Sequence, residues 1–191
     1  PAGNEYRRME TVQLTYPGMG VETIDYHAPY YHHVLKLDEP RHSRPYSYDS
    51  TQHGRFLVRE YNAADPDTEA DYSVVHFTLK MLPLLDADVY LDGDLTYRHL
   101  DDNSRMTYDP EAGVYHKALL LKQGAYNYRY LALPSSASRE AKRASQPAAR
   151  TADVEGDFYQ TVNEYEVAVY YRAPGERYDR LLGYTLLFSG R

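Results

Sequence analysis

The sequence predicts an all-β domain, an antiparallel β-sandwich, and three observations carry that expectation. The first is a set of short runs of two-residue periodicity between Asp86 and Leu133, separated by turn chemistry. The second is the aromatic bias: 22 Tyr against four Phe and no Trp, a side chain suited to half-buried pleated surfaces. The third is Ala173-Pro174-Gly175 set between two alternating runs, a hairpin signal.

Within the central stretch, Val89 and Leu91 share one face and Tyr90 takes the other. Asp92-Gly93-Asp94 then turns the chain, because Gly tolerates positive φ and Asp can bond its own backbone. Arg105–Tyr108 is a short run stopped by Asp109-Pro110. In 114–121, Tyr115, Lys117, Leu119 and Leu121 alternate with Val114, His116, Ala118 and Leu120, and Lys122-Gln123-Gly124 reverses the chain. Tyr126, Tyr128, Tyr130 and Ala132 then alternate with Asn127, Arg129, Leu131 and Leu133. Upstream, 21–26 and 31–37 are shorter extended candidates, and 55–61 is a stronger one. In 72–81, Ser73, Val75, Phe77, Leu79 and Met81 form one face, with His76, Thr78 and Lys80 on a wet one. Downstream, Tyr165, Val167, Val169 and Tyr171 make a strand that pairs with 181–188.

The expected organisation is an N-terminal β appendage over 1–50 and a sandwich over 51–191. The first segment holds few strongly apolar residues and cannot bury enough area to fold alone, so it pads an adjacent sheet or belongs to a preceding domain. Pro1-Ala2-Gly3-Asn4 ahead of patterned sequence reads as a cut from a longer chain. The Ala-, Ser- and Arg-rich stretch 134–154 is expected to be a long mobile loop.

At 191 residues with 42% hydrophobic and 26% charged content, the chain matches globular norms. A net charge of −7 gives no support for nucleic acid as a partner. The lack of Cys excludes disulfides, thiolate zinc sites and thiol nucleophiles. No run approaches the roughly 20 apolar residues of a membrane-spanning helix.

Catalytic and cofactor motifs (Walker A, G-x-G-x-x-G, G-x-S-x-G, H-E-x-x-H) do not occur, and no cofactor is expected. His27, His32 and His33 lie near Asp25 and Asp38, but His32 and His33 on one strand point to opposite faces, which argues against shared ligation of a metal. Asp92/Asp94, Asp101/Asp102 and Glu164/Glu166 are acidic pairs of the kind a glycosidase needs across a cleft. The first two pairs sit in turns, where solvated carboxylates are expected. Enzymatic activity is therefore not expected, and binding is.

The order V-Y-L-x-G-x-L, M-x-Y-D, G-x-Y, L-x-L-x-x-G-x-Y-x-Y-x-Y resembles early-set immunoglobulin-like modules, including glycogen- and starch-binding ones. Those modules use Trp as the sugar platform, which this chain lacks. EGDFYQTVNEYEVAVYYR and RYDRLLGY, with MTYDPEAGVY, HGRFLVREYN and EADYSVVHFTL, resemble the type IX secretion system plug protein domain family of Bacteroidetes over most of the chain from about Thr11. That resemblance implies a non-catalytic envelope protein on the periplasmic side of the outer membrane, docked to a translocon protein whose opening it blocks. Phe158, Tyr159 and Tyr165 are the candidate docking residues. The alternative is a carbohydrate-binding module with Tyr126, Tyr128 and Tyr130 as its glycan platform, provided they point outward.

Overall fold

The computed structural model describes residues 3–135 and 149–189. The 134–154 segment expected to be a mobile loop falls largely outside them. Eleven strands run in chain order: β1 Arg7–Glu10, β2 Val21–His27, β3 Tyr30–Leu35, β4 Phe56–Val58, β5 Tyr72–Lys80, β6 Ala87–Asp92, β7 Thr107–Asp109, β8 Val114–Lys122, β9 Gly124–Pro134, β10 Glu164–Tyr171 and β11 Arg180–Phe188. Helix among the described residues is limited to one α turn, Pro66–Glu69, and one 3-10 turn, Asp94–Thr96. Neither approaches the length of a membrane-crossing helix.

The all-β sandwich is present. One sheet has the order β2-β3-β5-β8-β7, antiparallel except for the β3–β5 pair. The facing sheet is built around β9, with β1 and β4 on it at one end and β6 pairing along its second half. The alternation of β5 sets its orientation: Ser73, Val75, Phe77 and Leu79 are fully buried, while His76 and Thr78 are partly open to solvent. Phe77 meets the Tyr128 ring edge-on, with centroids 5.1 Å apart, so that the two sheets interlock at their centre.

β9 is covered on both faces. Tyr126, Tyr128 and Tyr130 join Met9, Val89, Leu91 and Phe77 in the main core. Leu131 and Leu133 pack on the opposite side with Tyr90 and Leu100 in a smaller cluster, beneath the segment that follows β6. Gly124 opens this strand for a steric reason. A Cβ there would stand 2.4 Å from the Leu57 carbonyl oxygen of β4, closer than any side chain permits.

The first fifty residues are not an appendage. β1 pairs with β9 through Arg7↔Tyr128 and Met9↔Tyr126, while β2 and β3 extend the five-stranded sheet. The segment holds few apolar residues because it shares a core: Met9, Val21 and Leu35 are buried in the main cluster with residues of β5, β6, β8 and β9, and Ile24 packs against it. The 55–61 candidate contracts to the three residues of β4, pinned by its short register with β9.

The interlock at Phe77 sets a stability expectation. Phe77→Ala should lower the unfolding free energy by about 3–5 kcal/mol, read as a shift in the urea midpoint without a change in slope. A loss below about 1 kcal/mol would mean that the site collapses freely and that Phe77 is not the contact between the sheets.

Candidate functional site

The charged groups of this chain gather inside it. Arg7, carried by β1, points toward the end of β3 and meets Asp38, Nη1 to Oδ1 at 2.6 Å. Its Nε donates to Glu155 Oε1 at 3.0 Å, and Glu155 is 1% exposed. Arg41 reaches the other Glu155 oxygen at 2.7 Å. The backbone N–H of Tyr130 donates to Glu155 Oε1 at 3.0 Å. Both Tyr128 and Tyr130 donate their hydroxyls to Asp38 Oδ2, at 2.8 and 2.7 Å. The Arg7 guanidinium also lies 5.1 Å from the centre of the Tyr130 ring.

Asp38 is placed for this by backbone pairing. Its N–H donates to Thr78 and its carbonyl accepts from Lys80, so it continues the five-stranded sheet while its side chain crosses to β9. The flanking anions raise the Arg7 pKa further above its already high value, against the opposing effect of burial. Burial, then the Asp38 charge, pushes both the Tyr128 and Tyr130 hydroxyls well above the ordinary phenol range. Two arginines against two carboxylates leave no net charge in the cluster.

The glycan platform is overturned by this geometry. Tyr126, Tyr128 and Tyr130 are 3%, 4% and 0% exposed, because the twofold period of β9 turns them toward β5 and β1. Sequence pattern left their direction open because Leu131 and Leu133 on the other face looked equally apolar. Both faces are buried, the second by the Leu100 segment.

The histidines divide as the strand period requires. His33 turns inward, fully buried, with Nε2 3.0 Å from the Gln13 carbonyl, and burial lowers its pKa. His32 turns outward, its Nδ1 2.8 Å from His76 Nε2, with the His27 ring against it edge-on. Burial, with His32 and His27 close by, also lowers the His76 pKa. Among the described residues no group of three or more His, Asp or Glu side chains is placed to hold a metal ion.

The acidic pairs separate too. Asp92 is not solvated as its turn position suggested: it is fully buried and bound to Arg129 at 2.7 Å. Asp94 pairs with Arg98 at 2.7 Å, and Asp102 with Arg105 at 3.2 Å. Glu164 lies 3.5 Å from His53 at the mouth of a cavity of about 590 Å³. Glu5, Tyr46, Tyr48, Asp49 and Phe188 also line it. Its acids are engaged: Tyr46 donates a short hydrogen bond to Glu5, and Arg8 pairs with Asp49 at 3.1 Å.

The three candidate docking residues occupy different environments. Phe158 is half-buried, 5.8 Å from the Tyr46 ring, and its backbone bridges to Gly3. Tyr159 projects into solvent, 92% exposed. Tyr165 belongs to the β10–β11 hairpin, where both strands are exposed along their whole length. No periodic or motif signal marks Arg7, Asp38 and Glu155 as partners, since 148 residues separate the first from the last.

A solved structure of a hypothetical protein from Parabacteroides merdae is similar to this chain, with 49% sequence identity and a TM-score of 0.85. The match covers 98% of this chain and 45% of that one, so this chain spans less than half of its neighbour's length. No family model and no curated protein matches the sequence.

Two expectations follow from the cluster. Glu155→Ala leaves Arg7 and Arg41 buried without their shared acceptor and should cost about 3–5 kcal/mol, measured by denaturant unfolding. A change within about 0.5 kcal/mol would show that the network is dispensable. The tyrosines predict an alkaline limit. Their folded pKa values exceed the unfolded value of 10.0, so their stabilisation is complete below it and is lost as pH rises through 10 toward the folded values. Each should contribute about 1.4 kcal/mol of loss per pH unit in that window. The double variant Tyr128→Phe/Tyr130→Phe should show the shallower dependence between pH 10 and 11, and an unchanged slope would refute the assignment.

Proposed function

We propose that this chain is a non-catalytic docking body of the bacterial envelope, similar to the type IX secretion system plug and acting on the periplasmic side of the outer membrane. Its action is steric: a rigid sandwich seats against a translocon protein and obstructs its opening. The observation that carries the reading is how the side-chain chemistry is sorted. The strongest ionic groups, Arg7, Asp38, Arg41 and Glu155, are spent on one another between the sheets, whereas large aromatic and aliphatic side chains stand on the surface. Such a body presents contact area of low rotamer entropy and holds its shape under load.

Two further points support the reading. Stretches that resemble motifs of the plug family run through most of the chain, and the similar solved chain is from a Bacteroidetes species. Tyr159 is the docking candidate that stands free of the sandwich, next to Phe158, whose ring is held by Tyr46. That arrangement fixes the base of an aromatic pair and offers the tip.

Capture from detergent-solubilised Bacteroidetes envelope tests this. The wild-type chain should retain an outer-membrane β-barrel protein, and Tyr159→Ala should weaken retention about tenfold, equivalent to 1.4 kcal/mol. Failure of the wild-type chain to retain any barrel protein would sink the reading.

A further inference from the structure

The β10–β11 hairpin differs from every other strand pair in this protein. The large apolar side chains on its two strands are 40% to 63% exposed. The register puts Tyr165 opposite Leu187 and Val167 opposite Thr185, so Tyr165, Val167, Val169 and Leu187 share one face. Tyr170, Leu181, Tyr184 and Leu186 share the other, with Leu182 at the irregularity after Val169. Both faces therefore carry large exposed apolar side chains, with Glu164 and Glu166 beside them on the second face near the base of the ribbon. That is the pattern of strands in the interior of a layered sheet, not of a ribbon in water. Among the described residues both outer edges are open as well, since β10 and β11 form a two-stranded sheet of their own. An isolated two-stranded ribbon is marginal in water. At its base the ribbon is closed by the Ser189 N–H donating to the Asn163 carbonyl, and Glu164 links it to His53 of the sandwich.

We infer that this hairpin is the founding pair of a second β-sheet, completed by further strands of the same polypeptide that add to its edges and cover both faces. The occupant follows from the comparison. The Parabacteroides chain matches 98% of this one, a share that reaches into the hairpin, yet 55% of its own length lies outside the match. That leaves more chain than the matched part contains, enough for a complete additional unit. A second copy of this chain fits less well: pairing hairpin edge to hairpin edge gives a four-stranded ribbon with both faces still bare. The inference stands apart from the proposed docking role. It also removes Tyr165 from the docking surface, leaving Tyr159.

Hydrogen exchange read by mass spectrometry tests it on two molecules, the 191-residue chain and the full-length Parabacteroides protein. In the short chain at micromolar concentration, amides of 164–188 should exchange with little protection, while those of β5 and β9 stay slow. In the long protein the matching strands should be protected at least about 100-fold more strongly. Three results would overturn the inference: equal protection in both molecules, protection of the short chain that grows with its concentration, or fast exchange in the long protein. Val167→Lys gives a second readout. It should leave the melting of the short chain unchanged and lower that of the long protein at the matching position, and no difference between the two would also refute it.

Discussion

The Asp38 carboxylate is the point at which the two sheets of this protein become one body. Its backbone is hydrogen-bonded to Thr78 and Lys80 of the five-stranded sheet, and its side chain accepts from Arg7, Tyr128 and Tyr130 of the other. Glu155 repeats the device a short distance away by joining Arg7, Arg41 and the Tyr130 backbone. Buried ion pairs often fail to recover their desolvation, and they stabilise only where the remaining lone pairs and protons are also satisfied. Here further donors are engaged as well: Arg7 Nη2 reaches the Glu39 carbonyl and Arg41 Nη2 the Glu5 carbonyl. The gain is chiefly one of specificity, because no other register of β1 on β9 aligns these groups.

The same requirement explains why β9 carries tyrosines where phenylalanine would pack as well. Tyr128 and Tyr130 bring rings to the hydrophobic contact with Phe77 and hydroxyls to the Asp38 carboxylate, so one side chain serves both the oily and the ionic layer. Tyr126 does likewise at the start of the strand, where its ring stacks on Phe56 and its hydroxyl donates to the Lys122 carbonyl. A surface rich in tyrosine is one use of the residue, and a wet core is another. Composition alone does not distinguish them.

That ambiguity marks the limit of what could be read from the sequence. Strand positions were legible wherever one face is buried and the other wet, as in β5, because the twofold period then appears directly as Val75, Phe77 and Leu79 against His76, Thr78 and Lys80. The direction of Tyr126, Tyr128 and Tyr130 was not legible, because β9 is covered on both sides and its period carries no contrast. The membership of residues 7–35 in the sandwich was hidden for a related reason. β1 is edged with arginine and glutamate, and its place in the fold comes from ion pairs to residues far along the chain. Long-range charge pairing leaves no periodic trace, so Asp92 was read as solvated when Arg129 in fact holds it inside.

The contrast between β5 and β10 carries the synthesis one step further. Both are regular, both alternate, and both have antiparallel partners, yet β5 turns His, Thr and Lys to water while each face of the β10–β11 ribbon carries large exposed apolar side chains. A strand whose outward residues are His, Thr and Lys is finished by solvent. The ribbon sets Tyr165, Val167 and Val169 on one face and Tyr170, Leu181, Tyr184 and Leu186 on the other beside Glu164 and Glu166, so apolar groups meet solvent on both sides. Elsewhere single groups such as Met9 and Leu100 are buried, and exposed apolar side chains such as Leu57, Leu85 and Leu120 sit on different segments rather than along both faces of one ribbon. The hairpin has part of its environment supplied from elsewhere, so the physical boundary of the sandwich falls between Thr161 and Glu164, where chain contacts to Gly3 end and the ribbon begins.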